Sequence, residues 1–525
     1  MYRETAFHQS ERRGHLCVVS WVLLFVATVS AAAPNIELTS VPAYGSYDSL
    51  SGRVSDATPS DYAVAVYINV PPYGWWTKPY AAYPLTSIQS DGTWTCSIVT
   101  GGQDEYATEV IAFLVPKTYS PPIVSGDQCL PAGLYAYPYA RAIRYRALEF
   151  ANCDWLVKRA HDPVGPGSNY FSDSDANVWT DSGGSLHLKV MQQTSRWYCA
   201  EVIADRNLGY GRYAFTVTSG IAGLNQNFVL GFFTWEDCVP EWHYREIDVE
   251  VSRWSDASSP NTQFVVQPAD TPGNRHRFEV DPSTAPGGVT THEFAWEPGR
   301  VDFRSYRGEF ALNPSADDII ESWSYSGAVV PPPDKENLRM NLWLTSGLAP
   351  TDGQSAEVVV GGVTYLPFEP NEVYRFWSPV SSHHFYTISV SEKKKLEEKY
   401  PTFWTYEGVA YHALTTGGRA SLSPIYRFWS DTLSAHFYTV NEAERDKLTS
   451  KYANVWTYEG PAFYAYADGQ QPPGTSPVHR FWSDRLGCHF YTTSEAEKNK
   501  LITLYPTIWT YEGVAWHAYC LPAGS

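Results

Sequence analysis

Apolar and polar positions along this chain alternate in short runs broken by glycine and proline, with few long amphipathic stripes. Between residues 36 and 145 the strand-like runs 62–70, 92–99 and 108–115 are separated by Pro and Gly turns, the pattern of a small β-sandwich. Further runs at 186–190, 213–217, 228–233, 246–251, 262–267 and 338–344 predict a two-sheet jelly roll. From residue 374 the pattern becomes an internal repeat. Tyr374-Arg375-Phe376-Trp377-Ser378, Tyr426-Arg427-Phe428-Trp429-Ser430 and His479-Arg480-Phe481-Trp482-Ser483 open three units. Each continues with a His-Phe-Tyr-Thr strand, a short charged helix (391–396, 441–448, 494–501) and Trp-Thr-Tyr-Glu-Gly from Trp404, Trp456 or Trp509. One unit cannot cover its own apolar face, so three copies predict a pseudo-threefold body, either a closed trefoil-like unit or an open stack. The expected architecture is mainly β: an accessory sandwich over 32–147, a jelly roll over 148–370 and a three-repeat domain with short helices over 371–525.

The first 31 residues read differently. Arg12 and Arg13 precede an apolar run over 16–29 that ends in Val29-Ser30-Ala31-Ala32-Ala33-Pro34, which predicts a cleaved signal peptide and a secreted product. The run is shorter than the roughly 20 residues that span a bilayer, so no membrane span is expected once it is removed. In an exported chain the remaining cysteines can pair, and closeness in sequence suggests Cys96 with Cys129 and Cys488 with Cys520. Their number after the signal is odd, so at least one stays free, and none has the C-x-x-C spacing of a zinc site.

Composition narrows the partner. With 38 basic against 56 acidic residues the net charge is -18, which repels a phosphate backbone and excludes nucleic acid. Aromatic residues reach 15%, including 20 Trp and 37 Tyr, and such rings suit the C–H faces of sugars. A polysaccharide is the expected ligand, met by a monomer. Trp75 and Trp76, in the Pro-broken stretch 71–80, are expected on a loop, either as a sugar-stacking platform or as packing between modules.

The sharpest chemical signal is Arg245-Glu246-Ile247-Asp248-Val249-Glu250-Val251. Alternate side chains of a strand share a face, so Glu246, Asp248 and Glu250 point one way and the aliphatic residues the other. Three carboxylates on one face raise at least one pKa and create the inequivalent acid and base of glycoside hydrolysis. Because positions i and i+4 are about 13 Å apart at roughly 3.3 Å per residue, the two Glu side chains must lean together over Asp248. The competing reading is a solvated edge strand, where acidic alternation prevents unwanted pairing. Trp235, Trp254, Trp343 and Gln267 lie on or near strands expected to line the cleft, as sugar contacts or, for the tryptophans, as core. In the repeats, His384, His436 and His489 recur with Glu407, Glu459 and Glu512, as metal sites, ligand pockets or structural hydrogen bonds.

Glu246-Ile247-Asp248-Val249-Glu250 resembles the signature of glycoside hydrolase family 16, β-glucanases with a concanavalin-like jelly roll. Supporting segments are Asn169-Tyr170-Phe171-Ser172, Trp197-Tyr198-Cys199-Ala200-Glu201-Val202, Gly209-Tyr210-Gly211-Arg212-Tyr213 and Thr291-His292-Glu293-Phe294-Ala295-Trp296-Glu297-Pro298. The resemblance implies a retaining endo-β-glucanase with Glu246 as nucleophile, Glu250 as acid and base, and Asp248 as electrostatic organiser. The unbulged motif is closer to the lichenase and xyloglucan-transferase branch, which implies transglycosylase character beside hydrolysis. Val251-Ser252-Arg253-Trp254 departs from the family's Gly-containing turn and leaves the polymer open. Hydrolysis needs no organic cofactor; a structural calcium is common in relatives, and oxygen-rich loops here could hold one. A non-catalytic lectin or adhesin on the same fold is the alternative. The N-terminal region resembles an accessory sandwich of such enzymes through Gly74-Trp75-Trp76-Thr77-Lys78-Pro79 and Asp91-Gly92-Thr93-Trp94, and the repeats resemble a secreted-protein family of unassigned function.

Overall fold

The computed structural model describes residues 33–520 other than 328, 416, 418–421 and 472–474; the expected signal peptide lies outside the described residues. The chain is mainly β, in three bodies that follow one another in sequence.

In the first body a three-stranded sheet (Asn35–Ser40, Leu50–Ser55, Thr93–Cys96) packs on a larger one ordered Ser125–Asp127, Trp75–Lys78, Tyr62–Asn69, Glu109–Pro116, Tyr139–Ile143. Tyr62–Asn69 has no polar face because both its faces are covered. Val64, Val66 and Ile68 meet Ile36, Leu50 and Trp94 between the sheets, and Ala65 and Tyr67 meet Trp75, Phe113 and Leu134 beneath the chain that follows. Trp75 and Trp76 are therefore not on a loop. Trp75–Lys78 is an internal strand, bonded to Tyr62–Asn69 on one side and Ser125–Asp127 on the other. The prolines that argued against a strand, Pro72 and Pro79, stand just outside it. Trp75 is 5% exposed in the core, and Trp76 packs half-buried against the inter-sheet cluster.

The second body is an antiparallel sandwich. One layer is ordered Arg275–Phe278, Thr262–Val266, Ile247–Val251, Phe228–Trp235, Asn337–Leu344, Arg196–Asn207; the other Leu186–Gln193, Ala356–Pro367, Gly211–Ser219, Thr290–Glu297, Arg300–Arg307, Ile319–Tyr325. Their inner faces interdigitate, with Phe215 stacked on Phe232 at 4.5 Å and Val249, Phe264, Phe294 and Trp296 around them. Each such side chain contributes about 1.5–3 kcal/mol by leaving water.

The three repeats close on themselves. Strands His383–Thr387, Ala435–Thr439 and Cys488–Thr492 meet at the axis, where each tyrosine hydroxyl donates to a backbone carbonyl of a neighbouring unit: Tyr386 to Tyr491 (2.7 Å), Tyr438 to Tyr386 (2.7 Å) and Tyr491 to Tyr438 (2.8 Å). The same hydroxyls accept the N–H of Tyr491, Tyr386 and Tyr438 at 3.1 Å. Outside this ring Arg375 pairs with Glu497, Arg427 with Glu392 and Arg480 with Glu444, each linking one unit to the helix of another. An open stack cannot satisfy all three pairs.

The cysteine pairing differs from expectation. Cys129 bonds to Cys238 and joins the first body to the second. Cys96 and Cys488 are each 2% exposed within strands, and both are free, as are Cys153, Cys199 and Cys520.

Candidate active site

Ile247–Val251 is bonded on both sides, to Phe228–Trp235 and to Thr262–Val266, in continuous register without a bulge. The edge-strand reading of its acidic face therefore falls. Glu246 continues the strand with φ -86° and ψ 123°, and its carbonyl accepts from Gln267 N–H.

Register places the carboxylates in rows that cross the sheet. Glu250 lies opposite Gly231 and Gln263; Gly231 opposes Asn341, and Asn341 opposes Glu201. Beyond Gln263 stands Arg277. One step along, Asp248 lies between Phe233 and Val265, with Arg339 beyond Phe233. The rows are tied by hydrogen bonds. Gln263 Nε2 donates to Glu250 Oε2 (2.7 Å), Asn341 Nδ2 to Glu201 Oε2 (3.3 Å), and Lys158 Nζ to both Glu201 oxygens (3.0 Å). Arg339 reaches Glu201 at 3.5 Å and Asp237 at 3.4 Å. Gly231 keeps the floor low, since a Cβ there would come within 2.6 Å of Asn341 Oδ1.

The three carboxyls differ in surroundings. Asp248, 2% exposed, accepts from Gln267 Nε2 at 3.0 Å and shares a hydrogen bond with Glu246. Burial first, then the charges of Glu246 and Glu250, hold it well above the usual carboxylate range. Burial, followed by the Glu250 charge, pushes Glu246 up to about 8, against the hydrogen bond from Asp248 and the Arg339 charge, which favour its ionised form. Burial pushes Glu250 up to about 7, against the Gln263 hydrogen bond and the Arg277 and Arg275 charges. Glu246 and Glu250 nevertheless keep part of their surface open to solvent. The arrangement thus stores protons near neutrality on two partly exposed groups, Glu246 and Glu250, while buried Asp248 is the hydrogen-bond donor to Glu246.

The other expected contacts are dispersed. Trp235, opposite Asn337 at the Glu246 end, stacks on Tyr244 (4.5 Å, 6° between planes) and donates its indole N–H to Asp237 (2.7 Å). Trp254 and Trp343 meet edge-to-face at 5.8 Å; Trp343 is 8% exposed and packs against Gly167, while Trp254 is half-buried. Gln267 is committed to Asp248 and to the Ala269 N–H. Trp75 and Trp76 lie in the first body, inside its packing. Glu201, Arg339, Asn341, Gln263 and Lys158 were not foreseen. Their signal was a polar residue at alternate positions of apolar runs, as in Arg339-Met340-Asn341-Leu342. A concavity of about 480 Å³ lined by Thr271, Asn274, Trp323 and Tyr325 includes none of the three carboxylates.

In the repeats His384, His436 and His489 pair with Glu407, Glu459 and Glu512 at 3.3, 3.4 and 3.3 Å, and the same carboxylates hold Arg375, Arg427 and Arg480. Each imidazole also packs on its unit's Trp at 4.7 Å. These are structural hydrogen bonds, and among the described residues no group of three or more His, Cys, Asp or Glu is arranged to hold a metal ion.

Residues 372–519 match a family described as a domain of unknown function (DUF5648). No curated protein matches the chain. Among solved structures, similarity is found to a native glycosidic hydrolase (20% identity, 43% of this chain and 96% of that one, TM-score 0.30). It extends to a prokaryotic β-1,3-1,4-glucanase (lichenase) from a mouse hindgut metagenome (17%, 41% and 93%, TM-score 0.30). A third similar structure is an immunostimulatory antigen and pseudo β-1,3-glucanase of Mycobacterium tuberculosis (18%, 41% and 91%, TM-score 0.32). Likenesses of this size leave the chemistry to be argued from the carboxylates themselves.

Proposed function

We propose that the chain is a retaining, endo-acting glycoside hydrolase of β-linked polysaccharide, of the glucan class. The observation that carries the reading is the set of three inequivalent carboxyls on one face of an internal strand, in a floor of polar rows. The reactive form is the one with Glu246 ionised, which the Asp248 hydrogen bond and the Arg339 charge favour, and Glu250 protonated. In the first half-reaction the Glu246 carboxylate attacks the anomeric carbon, the bond to the leaving sugar breaks, and Glu250 gives its proton to the departing oxygen. In the second, ionised Glu250 takes a proton from water, whose oxygen displaces Glu246 and restores both groups; a sugar hydroxyl in place of water gives transglycosylation. Asp248, by donating to Glu246, moderates the charge of the nucleophile as it appears and disappears. Export follows from the N-terminal segment, and the flanking bodies hold the enzyme on an insoluble polymer by raising its local concentration.

The test is reducing-end release from mixed-linkage β-glucan, laminarin, xyloglucan, agarose and carrageenan by the mature protein and Glu246→Gln. Release from at least one polymer, lowered about ten-thousand-fold in the variant with binding kept, is the expected result. Tight binding by both proteins with no release by either would make the chain a lectin. Deletion after Glu372 should weaken retention on insoluble glucan; unchanged retention would assign the repeats another role.

A further inference from the structure

Residues 236–245 carry the chain from Phe228–Trp235 into the acidic strand, and they do so in a costly backbone. Cys238, His243, Tyr244 and Arg245 have φ of 71°, 48°, 59° and 53°, the left-handed region that L residues avoid. Contacts within the second body hold part of this loop: Arg245 pairs with Glu236 at 2.5 Å, and Tyr244 lies flat on Trp235. A further restraint comes from the first body, through Cys129–Cys238.

Cys129 lies on the segment that covers the outer core of the first body, where Leu130 and Leu134 are buried and Tyr135 is 43% exposed. Tyr135 meets Tyr139 edge-to-face at 5.5 Å, and the Lys335 ammonium of the second body stands 5.5 Å from its ring centre. The backbone N–H of that lysine donates to Glu236 at 3.4 Å, so the first body reaches the loop from two directions. Between these contacts Asp237 keeps 75% of its side-chain surface accessible while it pairs with Arg339, which leads on to Glu201 in the floor. On the first body, within reach of the Asp237 charge, half-exposed Arg141 pairs with Glu109, whose carboxyl is pushed up by burial and, further, by Asp237. Exposed rings and a few hydrogen-bonding heads are thus gathered where the two bodies meet, a set of groups that suits pyranose rings.

We propose that the N-terminal body is a wall of the cleft: Tyr135, Tyr139 and Arg141, held against the Trp235–Arg245 loop by Cys129–Cys238, contact the polysaccharide where it passes the Glu246 end of the acidic strand. The identity of the ligand rests on the hydrolase reading above; the wall itself rests on the contacts between the two bodies. Cys129 is a positioning residue, and the three wall side chains touch substrate away from the reacting bond.

Kinetics of the full chain on mixed-linkage β-glucan and on laminarin oligosaccharides of increasing length test this, with wild type, Cys129→Ser and Tyr135→Ala compared. The expected result is a KM raised by about tenfold in each variant with kcat within about twofold, the mark of lost binding without lost chemistry. The gain in affinity with oligosaccharide length should shrink in parallel. Circular dichroism and thermal melts report folding; if Cys129→Ser fails to fold, Tyr135→Ala at its exposed position decides. An active wild type with unchanged KM and product lengths in the variants overturns the wall and leaves the hydrolase reading standing. If no polymer is cleaved, retardation of the same three proteins in gels containing these glucans decides. Weaker retardation of both variants supports the wall on a non-hydrolytic protein, whereas equal retardation of all three overturns it. A wild type that is neither active nor retarded overturns both proposals.

Discussion

Glu250 illustrates how one buried proton shapes both activity and stability. Its carboxyl is raised to about 7 from an ordinary 4.5, so between those values the folded chain holds a proton that the unfolded chain releases. The stability this contributes is fully present below the unfolded value and is lost as pH rises through about 7. Glu250→Gln removes the titration, so its melting temperature should match wild type near pH 4.5 and exceed it increasingly toward pH 8. A difference in thermal melts that is the same at every pH would count against a buried titrating group. If Glu250 is the acid and Glu246 the nucleophile, kcat/KM should peak between their raised values, about 7 and about 8, and fall by roughly tenfold per unit on either side in a pH–rate profile. Gly231 acts at the same scale. Gly231→Ala must turn the Asn341 amide away from a Cβ placed 2.6 Å from Oδ1, which breaks its bond to Glu201. A rise in KM of about tenfold with little change in melting temperature is expected from steady-state kinetics, because the clash is with the end of a side chain rather than with backbone.

Among the elements, the acidic strand was the most legible. Its period-two alternation allowed one assignment of faces, and the register bears out that Asp248 and Glu250 share a face. What alternation could not say was whether the strand was internal or at an edge, since that depends on which distant strands flank it. Trp75–Lys78 shows the opposite error. Proline excludes the position it occupies from a central strand, and four residues between two prolines suffice for a short internal one. In the repeats, the recurring His-Phe-Tyr-Thr was plain in the chain, yet its tyrosine had no visible purpose before three hairpins met. There each hydroxyl satisfies a neighbour's backbone N–H and C=O. Tyr438→Phe leaves both groups of Tyr386 without that partner, at a cost of about 1–3 kcal/mol. Calorimetry should show the transition of the repeat body lowered by several degrees, and an unchanged transition would mean that the ring is ornamental to its stability.

Across the whole molecule, the repeat body is seated on the jelly roll by two of its three equivalent positions. Tyr466 and Tyr519 donate to Glu297 at 3.1 and 3.4 Å and contact each other at 2.9 Å, while the first unit has Leu414 there. Phe368 packs on Tyr519 at 5.2 Å beside them. Tyr519→Phe should weaken this seat by about 1–3 kcal/mol; faster limited proteolysis between the two bodies checks it, and wild-type cleavage rates would show that the carboxylate does not hold the interface. The bridge from Cys129 to Cys238 spans 109 residues and joins separate bodies, a pairing that nearness in sequence does not select, since Cys153, Cys96 and Cys199 all lie closer to Cys129 in the chain.

The chain by itself determined the mainly β character, the three-part order, the threefold repetition and the face on which Glu246, Asp248 and Glu250 lie, because these follow from local periodicity and repeated words. Tertiary structure alone decided that the acidic strand is internal, that the repeats close, which cysteines pair, and that Glu201, Asn341 and Gln263 share rows with the carboxylates. Those outcomes are contacts between residues far apart in the chain, and they arise only when sheets and bodies pack to bury apolar surface. The raised carboxyls belong with them, since burial is a property of the packed molecule and not of the motif that is buried.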